Sequence, residues 1–449
     1  MKKIINIFLI LSCFLCGCSS QETKTVDEQK EETVELDEQT TLQTPSNCGK
    51  LSVDGIHLVN EDGQNVQLKG ISTHGIAWYP EYINNDAFQQ FRNEWNVNVM
   101  RLAMYTHESG GYCTDGNQTS LKQLIKDGVK YATDNDMYVI IDWHVLQDLD
   151  PNVYKEQAIS FFDEMSNEFK DYNNVLYEIC NEPNGGTTWD SIKSYANEII
   201  PVIRNNDPNS VIIVGTPNWS QYVNEAADSP LEYDNILYTL HFYAATHKED
   251  LRNTMTDALE AGLPIIVSEY GICDASGNGS LDLEQANAWV DTMNQYDVSY
   301  IAWNLSNKDE SSSILSPDCT KTSDFTSEDL SASGSWLYSM LTGVAVEVKE
   351  EEKQESNGIQ YTCKLKNSWE ADGKNYYQYD VTLYSDASVS NWTIEIPMES
   401  SFEISDGWNG KYSIDGTNLV ISNESYNGDI TDSIGDIGFI VTSKVKEES

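Results

Sequence analysis

Basic residues are scarce in this sequence. Its 449 residues include 27 lysines and arginines but 72 aspartates and glutamates, so the formal net charge is -45 and the pI is near 4.2. Proteins bind nucleic acids through clusters of lysine and arginine that contact the phosphate backbone, and this composition does not supply them. The charge therefore argues against a nucleic acid partner and suits a neutral ligand.

Motifs that would bind a metal ion are also missing. The histidines form no HxH pair or HExxH helix, and no CxxC pair follows residue 18. We expect neither a metal nor a cofactor. Cys13, Cys16 and Cys18 lie near the N-terminus, and Cys180 falls in a predicted strand, which is typical of a buried thiol. Disulfides are possible in an exported protein, but we assign no pairing among the six later cysteines: Cys48, Cys113, Cys180, Cys273, Cys319 and Cys363.

The N-terminus has the pattern of a signal peptide. Lys2 and Lys3 precede an apolar run over residues 4–15, which is too short for a permanent membrane span. Leu15-Cys16-Gly17-Cys18 resembles a bacterial lipoprotein box. Residues 1–18 are therefore predicted to be a lipoprotein-type signal peptide ending at Cys18, which would become the lipidated N-terminus of the mature chain. Ordinary cleavage and secretion is the alternative. In both cases we expect an extracellular protein. If Cys18 is lipidated, this anchor is the expected contact with the membrane.

Residues 19–47 are predicted to be an acidic, disordered tether. They are rich in Glu, Asp, Gln and Thr and contain no aromatic residue, so they cannot bury enough apolar surface to fold. A second charged run, over residues 344–358, is predicted to link two folded units.

Strand-like and helix-like stretches alternate between these charged segments. A hairpin is predicted over residues 51–59 and 66–68, with a turn at Asp62-Gly63. Eight strand-like runs follow, at residues 68–72, 97–103, 138–143, 175–180, 211–214, 236–241, 265–268 and 300–303. Helix-like stretches separate them, for example at residues 121–135, 154–169, 189–205, 251–261 and 283–296. The alternation predicts an α/β fold, a (β/α)8 TIM barrel over residues 48–343.

Two of the predicted strands lead into a glutamate. VLYEICNEPN places Glu182 just before Pro183, whose ring favours an extended backbone at the glutamate, and PIIVSEYG places Glu269 after a buried apolar run. A lone glutamate of this kind is usually a solvated surface acid. Two carboxylates at the C-terminal ends of parallel strands, however, form a known arrangement for glycoside hydrolysis.

The other strand ends carry polar and aromatic residues that would surround this pair. They are His74, Trp78, Arg101, Tyr105, His144, Asn181, Trp219, His241, Tyr243 and Trp303. A metal site formed by His74, His144 and His241 is the alternative interpretation, but their spacing does not favour it.

Six motifs in this region occur in the order found in glycoside hydrolase family 5. RLAMYT, DWH, YEICNEPN, HFYA, SEYG and AWNLSNKDE resemble its endoglucanase subfamily across residues 47–341. The resemblance implies that Glu182 is the acid/base and Glu269 the nucleophile. It also implies supporting catalytic roles for Arg101, His144, Asn181, His241 and Tyr243, and substrate binding by His74, Trp78, Tyr105, Trp303, Lys308 and Glu310.

The function implied is that of a retaining endo-β-1,4-glucanase acting on cellulose or soluble β-glucan. The same machinery could act on mannan, xylan, xyloglucan or mixed-linkage glucan, because barrels with shared catalytic residues differ in their loops. A surface lipoprotein that binds glycans without catalysis is the alternative of another class. The complete set of supporting residues argues against it.

The last part of the sequence changes to short alternating stretches, which predict an all-β sandwich over residues 359–445. Its motifs NSW, NWT, GWN, SYNG and GF resemble a family 2 carbohydrate-binding module. The resemblance implies a binding strip of Trp369, Trp408 and Tyr426, with Trp392 in the core. Tyr426 and the missing late partner of Cys363 depart from the family pattern, which puts binding to crystalline cellulose in doubt. A spacer sandwich is the alternative.

Overall fold

A computed structural model of the protein describes residues 41–346, 354–385, 388–398, 402–430 and 433–444. The predicted signal peptide, Cys18 and most of the predicted tether lie outside these residues. Within the described ranges, no helix combines the length and apolar character needed to cross a bilayer.

The folded chain begins a few residues earlier than the predicted end of the tether. Helix α1 covers Pro45–Cys48, and Thr44 before it is buried. The side-chain carbonyl of Gln43 accepts the backbone N–H of Gln67 at 2.8 Å. These contacts hold the last tether residues against the barrel.

A short hairpin follows, formed by β1 (Ser52–Asp54) and β2 (His57–Val59). The prediction of one strand over residues 51–59 is wrong, because Gly55 has a φ of 58° and turns the chain between the two strands. A turn is present at Asp62-Gly63, but residues 66–68 form no strand.

Eight parallel strands then close into a barrel. They are β3 (Lys69–Thr73), β4 (Val99–Tyr105), β5 (Tyr138–His144), β6 (Val175–Glu178), β7 (Ile212–Val214), β8 (Ile236–Tyr243), β9 (Ile265–Gly271) and β10 (Tyr300–Leu305). Around the barrel the order is β10, β3, β4, β5, β6, β7, β8, β9. The predicted TIM barrel is therefore confirmed, with strand ends that shift by up to three residues.

Helices surround the barrel, and most of the longer ones are amphipathic, with an apolar face that packs in the core. They are α2 (Asn85–Glu94), α3 (Gln118–Asp134), α4 (Lys155–Phe169), α5 (Trp189–Asn206), α6 (Pro217–Ser220), α7 (Val223–Asp228), α8 (Glu249–Glu260), α9 (Leu283–Gln295) and α10 (Ala332–Thr342). Side-chain caps begin several of them: Asn117 accepts the N–H of Ser120 at the start of α3.

The N-terminal end of the barrel is filled by apolar side chains. Val99, Ile140, Ile213 and Ile301 from the strands pack together with residues that precede the first barrel strand. The latter are Cys48, Leu51, Leu58, Val66 and Leu68. The barrel is therefore closed at this end, and its functional groups lie at the other.

The C-terminal unit has a separate hydrophobic core and is built of antiparallel strands. They are β11 (Gln354–Ser356), β12 (Ile359–Ala371), β13 (Lys374–Tyr384), β14 (Val389–Ser390), β15 (Thr393–Pro397), β16 (Glu403–Trp408), β17 (Lys411–Asp415), β18 (Asn418–Ser422), β19 (Asp429–Ile430) and β20 (Ser433–Lys444). One sheet has the order β11, β12, β13, β20, β16, and a second has β15, β18, β17. Trp392 is buried in the core, as predicted.

The first strand of this unit lies within the predicted linker. β11 pairs with β12, and the turn between the two strands is formed by Asn357 and Gly358, which both have a positive φ. Asn-Gly is the preferred sequence for a two-residue hairpin turn, because both residues tolerate that conformation.

Candidate active site

Two buried carboxylates meet at the C-terminal end of the barrel. Glu182 follows β6, and Glu269 lies within β9, which continues to Gly271 instead of ending at Ser268 as predicted. One oxygen of each carboxylate and one nitrogen of His241 lie within 4.8 Å of one another. The two glutamates are thus close enough to act on the same bond.

Glu269 is held by two hydrogen-bond donors. The Tyr243 hydroxyl donates to Oε1 at 2.9 Å, and Nη1 of Arg101 donates to Oε2 at 3.2 Å. Burial and the nearby charge of Glu182 raise the pKa of Glu269, while Arg101 opposes that shift. The two donors stabilise the ionised carboxylate.

Glu182 has a different environment. Its Oε1 lies 2.9 Å from Nδ1 of His241, and its backbone N–H donates to the Val145 carbonyl at 3.1 Å. Burial raises the pKa of Glu182 to about 8, although the charge of Arg101 opposes the shift. The carboxyl group is therefore protonated at neutral pH.

His241 connects Glu182 to a buried polar layer. Burial lowers the pKa of His241 to about 4, so its imidazole is neutral and has a single N–H. Its second nitrogen, Nε2, lies 3.0 Å from the Ser268 hydroxyl, which in turn donates to Glu178 at 2.7 Å. Because Ser268 gives its only proton to Glu178, Nε2 of His241 carries the imidazole proton and Nδ1 can accept from a protonated Glu182.

Arg101 is the centre of that buried layer. It forms two hydrogen bonds with Glu178, at 2.7 and 3.2 Å, and lies 3.0 Å from Asp142. It also donates to the side-chain oxygen of Asn181 at 2.6 Å. The sequence did not predict a role for Glu178, Asp142 or Ser268. All three support groups that reach the cavity.

His144 is positioned by the same layer. Its Nδ1 lies 2.6 Å from Asp142, and its Nε2 lies 3.2 Å from the Asn181 amide nitrogen. The imidazole stacks on Trp303 with ring centres 5.2 Å apart and packs against Tyr105 at 4.1 Å. Both hydrogen bonds and both ring faces of His144 are thus fixed by neighbours.

A cleft of about 690 Å³ lies above the two glutamates. The predicted residues that line it are His74, Trp78, Tyr105, His144, Glu182, Trp219, His241, Tyr243, Glu269, Trp303, Lys308 and Glu310. Arg101 and Asn181 are fully buried in the layer beneath. Nine further lining residues were not predicted from the sequence: Glu108, Leu146, Gln147, Asn218, Gln221, His247, Ala275, Ser276 and Gly277.

Polar contacts also organise one end of the cleft. Lys308 lies 2.5 Å from Oε2 of Glu310, and Nε2 of His74 lies 3.6 Å from Oε1. Burial raises the pKa of Glu310, but the contacts with His74 and Lys308 outweigh it and lower the pKa to about 2. Trp78 packs against Tyr105 at 4.6 Å and forms an aromatic wall beside this group.

Among the described residues, three possible metal ligands come close together at Glu182, His241 and Glu269. The structure does not bring His74, His144 and His241 together as a ligand set. Its six described cysteines all have free thiols, and Cys180 is buried as predicted.

Comparison with known proteins identifies the family. Residues 59–309 match the family model described as cellulase, glycosyl hydrolase family 5. The chain belongs to glycosyl hydrolase family 5. Residues 359–447 match a second model, described as a cellulose binding domain. Both predicted resemblances are therefore confirmed, and with them the prediction of a glycoside hydrolase at the level of the family.

Curated relatives of this family 5 chain include Endoglucanase A of Butyrivibrio fibrisolvens, 55% identical over 297 residues, which are 66% of this chain and 69% of that protein. The Endoglucanase of Clostridium saccharobutylicum is 50% identical over 301 residues, 67% of this chain and 66% of that protein. The match thus spans about two thirds of the length of these relatives.

Solved structures of family 5 enzymes are also similar. The cellulase Cel5C_n is 43% identical, with a TM-score of 0.64 over 66% of this chain and 92% of that one. The catalytic domain of Thermobifida fusca endoglucanase Cel5A, solved in complex with cellotetraose, is 37% identical, with a TM-score of 0.64 over 67% and 99%.

The aromatic residues predicted for the binding strip lie in the C-terminal unit. Trp369 pairs with Tyr376 across β12 and β13, and Trp408 pairs with Gly438 across β16 and β20. Alternate positions on β13 and β20 face the module core, namely Val381, Leu383, Ile437, Phe439 and Val441. Trp369 and Trp408 therefore lie on the opposite, outer face of the sheet. Tyr426 is 71% exposed, and its hydroxyl donates to Asn409, next to Trp408.

Proposed function

We propose that the chain is a retaining endo-β-1,4-glucanase that hydrolyses internal bonds of cellulose or soluble β-glucan by double displacement. The carboxylate pair carries this proposal. Retaining enzymes place the two carboxyl groups about 5 to 5.5 Å apart, whereas inverting enzymes leave roughly 6.5 to 9.5 Å for a water molecule. The separation of at most 4.8 Å between oxygens of Glu182 and Glu269 favours retention.

In the first step, a carboxylate oxygen of Glu269 attacks the anomeric carbon. The bond between that carbon and the bridging oxygen breaks, and Glu182 gives its proton to the departing sugar. Arg101 and Tyr243 keep Glu269 ionised and oriented before the attack. The product of this step is a glycosyl ester on Glu269 and an ionised Glu182.

In the second step, Glu182 acts as a base. It takes a proton from water, the water oxygen attacks the anomeric carbon, and the ester bond to Glu269 breaks. Glu182 is again protonated and Glu269 again ionised, so the cycle closes without a cofactor. Two inversions give net retention of the anomeric configuration.

The groups around the pair support binding of a neutral sugar chain. Trp78 and Trp303 offer apolar ring faces, and His74, Lys308 and Glu310 offer hydrogen-bonding groups beside them. These residues are proposed to hold the glucose units that precede the cleaved bond. Several relatives, including those from Butyrivibrio and Clostridium, are named endoglucanases.

The remaining parts of the sequence fit an enzyme that works outside the cell. The outer-face aromatics of the C-terminal unit, Trp369 and Trp408, together with Tyr426, are proposed to bind a cellulose surface. The family model that this region matches is described as a cellulose binding domain. Residues 1–18 are proposed to export the chain and anchor it through Cys18. Those parts of residues 19–47 and 344–358 that lie outside the two folded units are proposed to act as connectors.

The deciding experiment measures release of reducing sugar by the full chain from four neutral polymers: hydroxyethyl cellulose, glucomannan, xylan and mixed-linkage glucan. We expect the cellulose derivative to be hydrolysed, and Glu269→Gln to lose about a thousandfold or more of the turnover. NMR of the earliest product should show the β-anomer. Activity confined to another polymer would leave the proposed mechanism intact but identify a different substrate. An α-anomer as the first product would refute retention.

Binding of polymer without turnover by the wild-type chain would instead support a glycan-binding lipoprotein. Glu81→Gln is a matched control for Glu269→Gln, because Glu81 lies outside the cleft lining. It should leave turnover unchanged.

A further inference from the structure

A second groove begins where the catalytic cleft ends. It has a volume of about 380 Å³ and lies between α7 and α8, and Gln221 lines both the cleft and the groove. The loop that leads to it follows β7, which is four positions around the barrel from β3. Because His74 and Trp78 follow β3, the groove continues the cleft at the opposite end.

The backbone presents two aromatic side chains along this path. Asn218, Trp219 and Ser220 all have φ between 55° and 57°, a left-handed turn that non-glycine residues rarely adopt. The Trp219 N–H donates to the Pro183 carbonyl at 3.0 Å, which ties the turn to the segment carrying Glu182. Trp219 is 44% exposed and Tyr222 is 45% exposed.

The groove combines an aromatic ring with groups that accept hydrogen bonds. Leu251, Thr254 and Asp257 lie three residues apart on one face of α8, opposite Glu225 on α7. Hydroxyl groups of a sugar can donate to the carboxylates, while the apolar face of the ring stacks on tyrosine. Two carboxylates disfavour an anionic polymer, so the lining suits a neutral glycan.

We propose that this groove binds the leaving-group end of a long, neutral β-glucan chain, with Tyr222 as its stacking platform. The inference rests on the proposed function, in which residues at the Trp78 end hold the sugars before the cleaved bond. The groove then holds sugars that depart with the proton from Glu182. A short oligosaccharide fills the cleft without reaching Tyr222, whereas a long chain contacts both.

The test compares the full wild-type chain with Tyr222→Ala on cellotetraose and on hydroxyethyl cellulose. We expect Tyr222→Ala to lower kcat/KM about three- to tenfold on the polymer, mainly through KM, because a stacking contact of this kind contributes that factor. Activity on cellotetraose should not change. Tyr222→Phe keeps the ring and should behave as wild type.

Tyr172→Ala is the matched control, because Tyr172 is also exposed, at 37%, and follows α4 at the closed end of the barrel. This variant should have wild-type activity on both substrates. Equal activity of Tyr222→Ala and wild type on the polymer would overturn the inference while leaving the proposed function intact. So would an equal loss on both substrates, since that result would place Tyr222 in the cleft itself.

Binding provides a readout that does not require turnover. Cellohexaose is titrated calorimetrically into Glu269→Gln and into Glu269→Gln combined with Tyr222→Ala, and the second should bind about three- to tenfold more weakly. Equal affinities would overturn the inference. A wild-type chain that is inactive on every polymer would instead refute the proposed function, while the titration would still decide whether the groove binds glycan.

Discussion

Glu182 and Glu269 face the same cleft but have different hydrogen-bond partners. Arg101 and Tyr243 both donate to Glu269, so its negative charge has two partners. Glu182 contacts a neutral His241 and has little access to water, and burial raises its pKa to about 8. This difference in environment supports the proposed roles of Glu182 as acid and Glu269 as nucleophile.

The pKa of Glu182 predicts the alkaline side of the pH profile. We expect kcat/KM on a soluble oligosaccharide to fall as the pH rises through about 8, because the ionised carboxylate has no proton to donate. At low pH it should fall again, since a protonated Glu269 cannot attack. Initial rates of the wild-type chain measured from acid to alkaline pH test both statements.

Two variants test whether Glu182 causes the fall in kcat/KM at alkaline pH, called here the alkaline limb. Glu182→Gln should lose about 10² to 10⁴ in rate and should no longer show that limb. Glu108→Gln is the control, because Glu108 is another buried carboxyl group whose pKa is raised by burial. It should keep the limb. An alkaline limb that persists in Glu182→Gln would contradict the assignment.

The sequence motifs predicted twelve of the residues that line the cleft, and Arg101 and Asn181 in the layer beneath, but not the acids of that layer. Glu178 and Asp142 each interrupt an apolar strand, in VLYEIC and YVIIDWH. An acid inside a buried strand needs a charged or hydrogen-bonding partner, and that was the available signal. The partner could not be read from the sequence, because Arg101 lies 77 positions from Glu178 and meets it only when the barrel closes.

The strands show why element boundaries were harder to predict than element types. β8, β9 and β10 all extend past the predicted ends, and β9 includes Ser268 and Glu269. Polar residues usually mark the end of an apolar run. Here the strand continues, because Arg101, Tyr243 and Glu178 provide hydrogen-bond partners for those polar side chains.

Gly70 shows how closely β3 approaches its neighbour. A Cβ at this position would lie 2.3 Å from both the carbonyl oxygen and Cγ1 of Val99 on β4. We expect Gly70→Ala to lower the free energy of unfolding by about 1 to 3 kcal/mol, because the strands must move apart to admit the methyl group. Thermal unfolding of the full chain, followed by circular dichroism, measures the loss.

Gly435→Ala is the control for this substitution. Gly435 also lies in a strand, β20, but the nearest atom to its Cβ would be the Thr382 hydroxyl oxygen, at 4.0 Å. It should unfold as wild type does. A Gly70→Ala chain as stable as this control would show that β3 and β4 can separate without cost.

Among the described residues, the barrel and the C-terminal unit have separate hydrophobic cores. Trp369 and Tyr426 are exposed on the second unit and far along the sequence from the glutamates. We expect Trp369→Ala in the full chain to weaken retention on insoluble cellulose about two- to tenfold, because one stacking surface is lost. Turnover of soluble substrate should be unchanged, since the cleft is untouched.

Ile414→Ala provides the comparison for this binding assay. Ile414 is 45% exposed on β17, which belongs to the other sheet of the unit. Its removal should not affect retention on cellulose. Retention that is unchanged in Trp369→Ala, or equally reduced in Ile414→Ala, would favour a spacer over a binding module.

The closed N-terminal end of the barrel limits the directions from which a polymer can reach the glutamates. Leu51, Val66 and Leu68 fill that end, so no tunnel runs through the barrel along its axis. In the proposed function, the glycan lies instead across the mouth of the barrel, in the cleft lined by Trp78 and Trp219. A cut at an internal bond shortens the polymer sharply, so a solution thickened by the polymer loses viscosity before much free sugar is released.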